Sequence, residues 1–186
     1  MSTITTRTTI PTGTWVIDPA HSYVGFAVKH MGIATVRGEF TEFEGALEIG
    51  NDLSSARAHG TVKTASVDTR QPQRDADLRS ANFFDADQHP QLRFESTAVE
   101  ALDEDELRIS GKLTIHGVTN EIVLYAEVHG TDIDPSGNER VGLEITGELS
   151  RGDYGMKFNQ ALGSGNLVIS DKVKVTLDIS AVKQSS

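Results

Sequence analysis

The chain has no cysteine among its 186 residues. That absence removes disulfides, thiolate nucleophiles and cysteine-ligated metals in one step. Basic residues are also scarce: 17 Lys and Arg against 27 Asp and Glu leave a formal net charge of −10. A nucleic-acid binder needs a positive footprint to displace counterions from phosphates, so no nucleic-acid partner is expected. A polybasic clamp on an anionic membrane is disfavoured for the same reason. No apolar run approaches the roughly 20 residues of a membrane helix, so no integral membrane segment is expected. The opening MSTITTRTTIPTGT is polar and threonine-rich, with no apolar stretch of signal-peptide length. A soluble, cytoplasmic protein is the expectation.

Signatures of catalysis are missing too. Ser22 stands beside His21, with Asp75 and Asp153 as carboxylates, but no G-x-S-x-G strand-to-helix elbow presents a serine nucleophile. The six histidines are scattered without H-x-H or H-E-x-x-H spacing, so no metal site is expected. No glycine-rich phosphate loop opens a helix after a strand, and parallel β-α-β alternation is absent. No catalytic residue and no cofactor are expected.

What the chain does have is alternation. One domain over residues 14–186 follows a polar tail over 1–13, expected to be flexible, and the length suffices for a sizeable core. The organising stretch is Trp15 to Gly32, a short strand, a Pro19-Ala20 break, and a longer strand from Tyr23 to His30. There Val24, Phe26 and Val28 alternate with Gly25, Ala27 and Lys29, the period of a strand with one buried face. The same period recurs downstream in Phe43–Ile49, Ala58–Thr64, Leu92–Ala98, Leu107–Ile115, Ile122–Val128, Val141–Leu149 and Val173–Ile179. Turn residues punctuate the runs, among them Asn51-Asp52, His116-Gly117 and Asp134-Pro135-Ser136-Gly137.

One stretch, Thr69 to Asn82, loses the alternation. Thr69 can cap, Pro72 suits a first turn, and a short helix is predicted within about 70–81. One short helix cannot cover a flat sheet of roughly eight long strands. A sheet with one apolar face and no second layer must curl onto itself, so the fold class is all-β, an eight-stranded antiparallel barrel. Small residues on the inner faces (Gly45, Ala58, Gly60, Gly111, Ala126, Gly147) either leave a lumen or mark bends, and composition alone does not separate the two.

Several blocks, taken together, resemble the YceI-like family. They are WVIDPAHSYVGFAVKHMG from Trp15, VRGEFTEFEG from Val36, Ser66-Val67-Asp68-Thr69 with Arg74-Asp75, and Leu78-Arg79-Ser80 with Asn82-Phe83-Phe84-Asp85. The series continues with His89-Pro90 before Phe94-Glu95-Ser96, LTIHGVT from Leu113, and Ser150-Arg151-Gly152-Asp153-Tyr154-Gly155-Met156. They occur in family order across residues 15 to about 180. The resemblance implies a lipocalin-like barrel with an elongated apolar cavity for a polyisoprenoid or similar long-chain amphiphilic lipid. Many members are periplasmic and carry an export signal, which this sequence does not show.

A ligand that enters tail first needs an apolar wall and a few polar groups at the mouth. The wall residues expected are Phe26, Val28, Phe40, Phe43, Leu47, Phe94, Leu113 and Leu143. His21, Ser22, Arg74, Asp75 and His116 are the candidates for the head group. Arg74 attracts attention because guanidinium pairs bidentately with phosphate. Arg151 and Asp153 read as turn-stabilising. The expected function is non-catalytic sequestration or transport of a polyisoprenoid or quinone-like lipid, with a homodimer capping the mouth. A stress-response or protein-interaction scaffold whose lipid is incidental is the alternative.

Overall fold

Alternating side chains build an almost purely antiparallel structure. The computed structural model describes residues 10–185. Among these, the strands are β1 (Gly13–Ile17), β2 (Tyr23–His30), β3 (Ala34–Phe40), β4 (Phe43–Ile49), β5 (Arg57–Lys63) and β6 (Val67–Asp68). They continue with β7 (Gln91–Ala101), β8 (Glu106–Ile115), β9 (Val118–Ile133), β10 (Glu139–Ser150) and β11 (Ile169–Lys183). One helix, α1 (Pro72–Arg79), interrupts them.

Eight strands close the ring, in the order β1-β4-β5-β7-β8-β9-β10-β11 and back to β1. Closure rests on Trp15 opposite Lys183 and Ile17 opposite Ala181. The eight-stranded antiparallel barrel and its single helical insert are as the sequence predicts. β2, β3 and β6 extend the sheet outward from β11. β11 therefore serves two partners along one edge, β1 near its C-terminal end and β2 along its N-terminal half, with Val24 opposite Leu177 and Val28 opposite Val173. The switch occurs at the Pro19–His21 turn, where the Asp18 side chain accepts the Ala20 N–H. Ser22 stitches the gap, accepting from Ser180 N at 3.0 Å and donating to Ser180 O at 3.2 Å.

This split makes the two ends of the barrel unlike. At the closed end Trp15, Leu107, Val128, Val141 and Ala181 pack into one continuous core. Where β2 and β3 diverge, smaller clusters form around Phe40 and around Ile115, Tyr154 and Met156.

Three local expectations need correction. The alternation predicted through Ala98 breaks at a bulge between Ser96 and Ala98. One extra residue reverses the facing, so Ala98 is exposed while Val99 and Ala101 pack on the core. The cap of α1 is Gln71, whose side chain accepts from Arg74 N, and not Thr69. Thr69 is instead occupied with Asp75, as described below. Most of the tail expected over 1–13 lies outside the described residues, but Ile10 is buried in the closed-end core and Pro11 O accepts from the Trp15 indole at 2.9 Å.

Candidate functional site

The lumen toward the split end is open. It forms a cavity of about 240 Å3, counted as room for the centres of water molecules and partly open to solvent. One water needs only about 10–15 Å3 on that measure, so many would fit, but each needs two to four polar partners. The inward positions of β2, β5, β7 and β11 offer almost none, being Phe26, Val28, Ala58, Phe94, Val173 and Val175. An apolar space of this kind favours an apolar guest.

All eight expected wall residues line this cavity. Two of the aromatic ones pair: the Phe26 and Phe40 ring centroids are 5.7 Å apart, and Phe40 also meets Phe84 edge-on at 5.6 Å. The inner-face glycines partly serve ring packing. A Cβ at Gly111 would sit 2.5 Å from the Phe94 ring and 2.5 Å from Glu95 O, so glycine here lets the ring lie against β8.

The five head-group candidates do not line the cavity. His21 is exposed on the outer face, its Nδ1 2.7 Å from Asp18 Oδ2, and Ser22 is bonded to the β11 backbone. Arg74 donates to Thr69 Oγ1 and Thr69 O, both at 2.8 Å. Asp75 is buried and accepts from Thr69 N at 2.8 Å and from its hydroxyl at 2.5 Å. His116 Nδ1 lies 3.0 Å from Tyr154 O. No hydroxyl–imidazole–carboxylate relay forms around Ser22, because its hydroxyl is committed to Ser180.

The buried charge on the lining is Arg151, 6% exposed. Its guanidinium donates to the carbonyls of Ser170, Met156, Phe158 and Ile169 at 2.7–3.3 Å, gathering the 156–158 loop and the start of β11. Burial pulls its pKa below the usual arginine value, and the Asp171 charge opposes that pull. Among the described residues four of its five donors are used, leaving one N–H without a partner. Its turn-stabilising role was legible in the sequence; its place on the lining was not, because nothing in Ser150–Met156 shows which wall the turn faces.

A second feature escaped the spacing rules. Asp85 and His89, on the loop after α1, meet His116 from the β8–β9 turn, with candidate ligand atoms within 4.8 Å of one another and all three side chains half-buried. The four-residue spacing from Asp85 to His89 was the one sequence signal available for it.

A family model described as the YceI-like domain matches residues 15–181. The chain belongs to the YceI-like family. A UPF0312 protein of Staphylococcus aureus is 35% identical to this YceI-like chain over 162 residues, 86% of this chain and 92% of that one. The Campylobacter jejuni YCEI protein superposes with a TM-score of 0.72 at 27% identity, covering 84% of this chain and 90% of that one. Burkholderia cenocepacia BcnA gives a TM-score of 0.77 at 19% identity, over 88% of this chain and 98% of that one. A polyisoprenoid binding domain from Saccharophagus degradans gives 0.70 at 16%, over 94% and 100%. The last two show a shared YceI-like fold.

Proposed function

We propose that this protein binds a long-chain lipid of the polyisoprenoid class, tail first, and holds or carries it without chemical change. The observation that carries the reading is the apolar lumen beside Phe26, Phe43 and Phe94. The polyisoprenoid binding domain from Saccharophagus degradans, built on the same fold, supports the ligand class.

Magnitudes favour a long chain. Each buried methylene contributes about 0.8 kcal/mol, so one five-carbon unit gives roughly 3–4. Two or three units reach the ~8 kcal/mol of micromolar affinity before ordering costs are subtracted. The wall residues Phe26, Val28, Phe40, Phe43, Leu47, Phe94, Leu113 and Leu143 hold the tail in this reading. An anionic or strongly polar head is drawn to Arg151, whose charge has no carboxylate in direct contact and which keeps one donor free. The His21 ring is already paired with Asp18 and the Ser22 hydroxyl with the Ser180 backbone, and neither lines the cavity, so neither holds the head in this reading.

Native mass spectrometry of gently purified protein, followed by denaturing extraction and lipid identification, tests the proposal. One adduct per chain resolving to a prenyl lipid is the expected result. An empty spectrum with no uptake of added prenyl alcohols would overturn it.

A further inference from the structure

Asp85, His89 and His116 come from two segments that, among the described residues, no hydrogen bond joins. The loop that follows α1 supplies the first two across one turn, closed by His89 N donating to Asp85 O at 2.9 Å. The β8–β9 turn supplies the third. The imidazoles of His89 and His116 meet edge to face with centroids 5.1 Å apart.

Their polar atoms are available. Among the described residues the Asp85 carboxylate and both His89 ring nitrogens have no hydrogen-bond partner. His116 differs: Nδ1 lies 3.0 Å from Tyr154 O, so it carries the proton and leaves Nε2 as an acceptor. A backbone carbonyl on the far nitrogen is the outer-shell arrangement that orients metal-binding histidines. Room is kept for the rings: a Cβ at Gly117 would lie 2.7 Å from the His89 ring, and one at Gly155 would lie 3.3 Å from His116 Nδ1.

We propose that Asp85, His89 and His116 bind a divalent cation of the zinc class, which clasps the post-helix loop to the β8–β9 turn. Two imidazoles and one carboxylate suit a borderline ion; calcium and magnesium prefer all-oxygen sets, and Cu(I) prefers sulfur. Ligands at 2.0–2.2 Å in a tetrahedral site stand about 3.4 Å apart. The 4.8 Å limit found here therefore closes with side-chain rotation of about an ångström. A net charge of −10 raises the local cation concentration. Three protein donors leave a fourth position for water.

The clasp has a location that matters. Phe84 and Ile115, the residues immediately before Asp85 and His116, both line the cavity. The ion would sit one residue behind the cavity wall and fix the segment that carries Phe83 and Phe84.

Calorimetric titration of the full chain with Zn2+ alone tests the site. Hydrogen exchange over residues 83–89 tests the clasp, and neither needs a lipid. One equivalent should bind, and exchange in that loop should slow. Asp85→Asn, which tolerates the left-handed backbone at φ 49, and His89→Gln should each weaken binding by more than the roughly 10–100-fold that loss of an outer-shell partner costs. Both should unfold at the wild-type midpoint when zinc is absent. Absence of binding, wild-type affinity in either variant, or binding that leaves loop exchange unchanged would each overturn the proposal.

Discussion

Asp134 shows how a single side chain on this barrel is tuned. Arg140 Nε donates to its Oδ2 at 2.7 Å, and Ser136 N and Asn138 N donate to its Oδ1, both at 2.9 Å. The Arg140 hydrogen bond is the largest influence, and together they hold the Asp134 pKa down to about 2. The same guanidinium donates to Asp18 at 2.9 Å, lowering that carboxyl too, so one cation joins the β9–β10 turn to the β1–β2 break. The unfolded carboxyl titrates near 3.9. A depressed folded pKa gives stability that is fully present above about pH 4 and lost as pH falls toward about 2. Carboxyl-resolved NMR titration should place the Asp134 midpoint near 2. In Arg140→Gln it should move up toward the unfolded value, and the stability lost between about pH 4 and pH 2 should become smaller. An unchanged midpoint would mean that the turn amides, not Arg140, set the value.

At the scale of elements, α1 is the unusual one. Its residues, PQRDADLR, supply Leu78 as the one apolar side chain larger than alanine or proline, so burial of a greasy face cannot dock it. It is docked by polar bonds: Asp75 accepts from Thr69 N and Oγ1, and Arg74 returns two bonds to Thr69. Asp75→Ala would strand a buried Thr69 N–H, a cost of about 1–3 kcal/mol. Hydrogen exchange should then speed up in α1 while β8, β9 and β10 stay protected, since stability is local. Uniform loss across the barrel would show that α1 is part of the cooperative core. The same contrast explains what the sequence made legible. Strands such as Leu107–Ile115 announce themselves because their inner residues all alternate, and the helix was located from Pro72 and the lost period. The Ser96–Ala98 bulge was hidden because a one-residue slip leaves every residue type in place. Thr69 looked like a cap because its identity suits one, whereas its partner Asp75 is decided by how α1 folds back on β6.

Across the whole molecule, the barrel divides its work between two ends. Seven of the eight expected wall residues sit in alternating runs, Phe40 outside them, and all eight line the cavity. The polar rim was not readable, since a histidine or serine near a strand end carries no mark of which face it turns to; His21 and Ser22 lie outside, and Arg151 lies on the lining. The closed end is filled, with Leu107 4% exposed and away from the cavity, whereas Val175 faces the open lumen. Substitutions at the two ends should therefore separate stability from binding. Leu107→Ala removes packed side chain and leaves a void, which costs about 2–5 kcal/mol, while the lumen is untouched and lipid bound as proposed should stay. Val175→Trp adds volume where none is packed, so strain is small, yet the ring occupies space that a prenyl chain needs. Denaturant unfolding and lipid retention, measured on both variants, should change in opposite patterns: the first unstable and loaded, the second stable and empty. A Val175→Trp protein that keeps its full lipid would place the tail elsewhere on the molecule, and a loss of lipid from Leu107→Ala at temperatures where it stays folded would mean that the two ends are not independent.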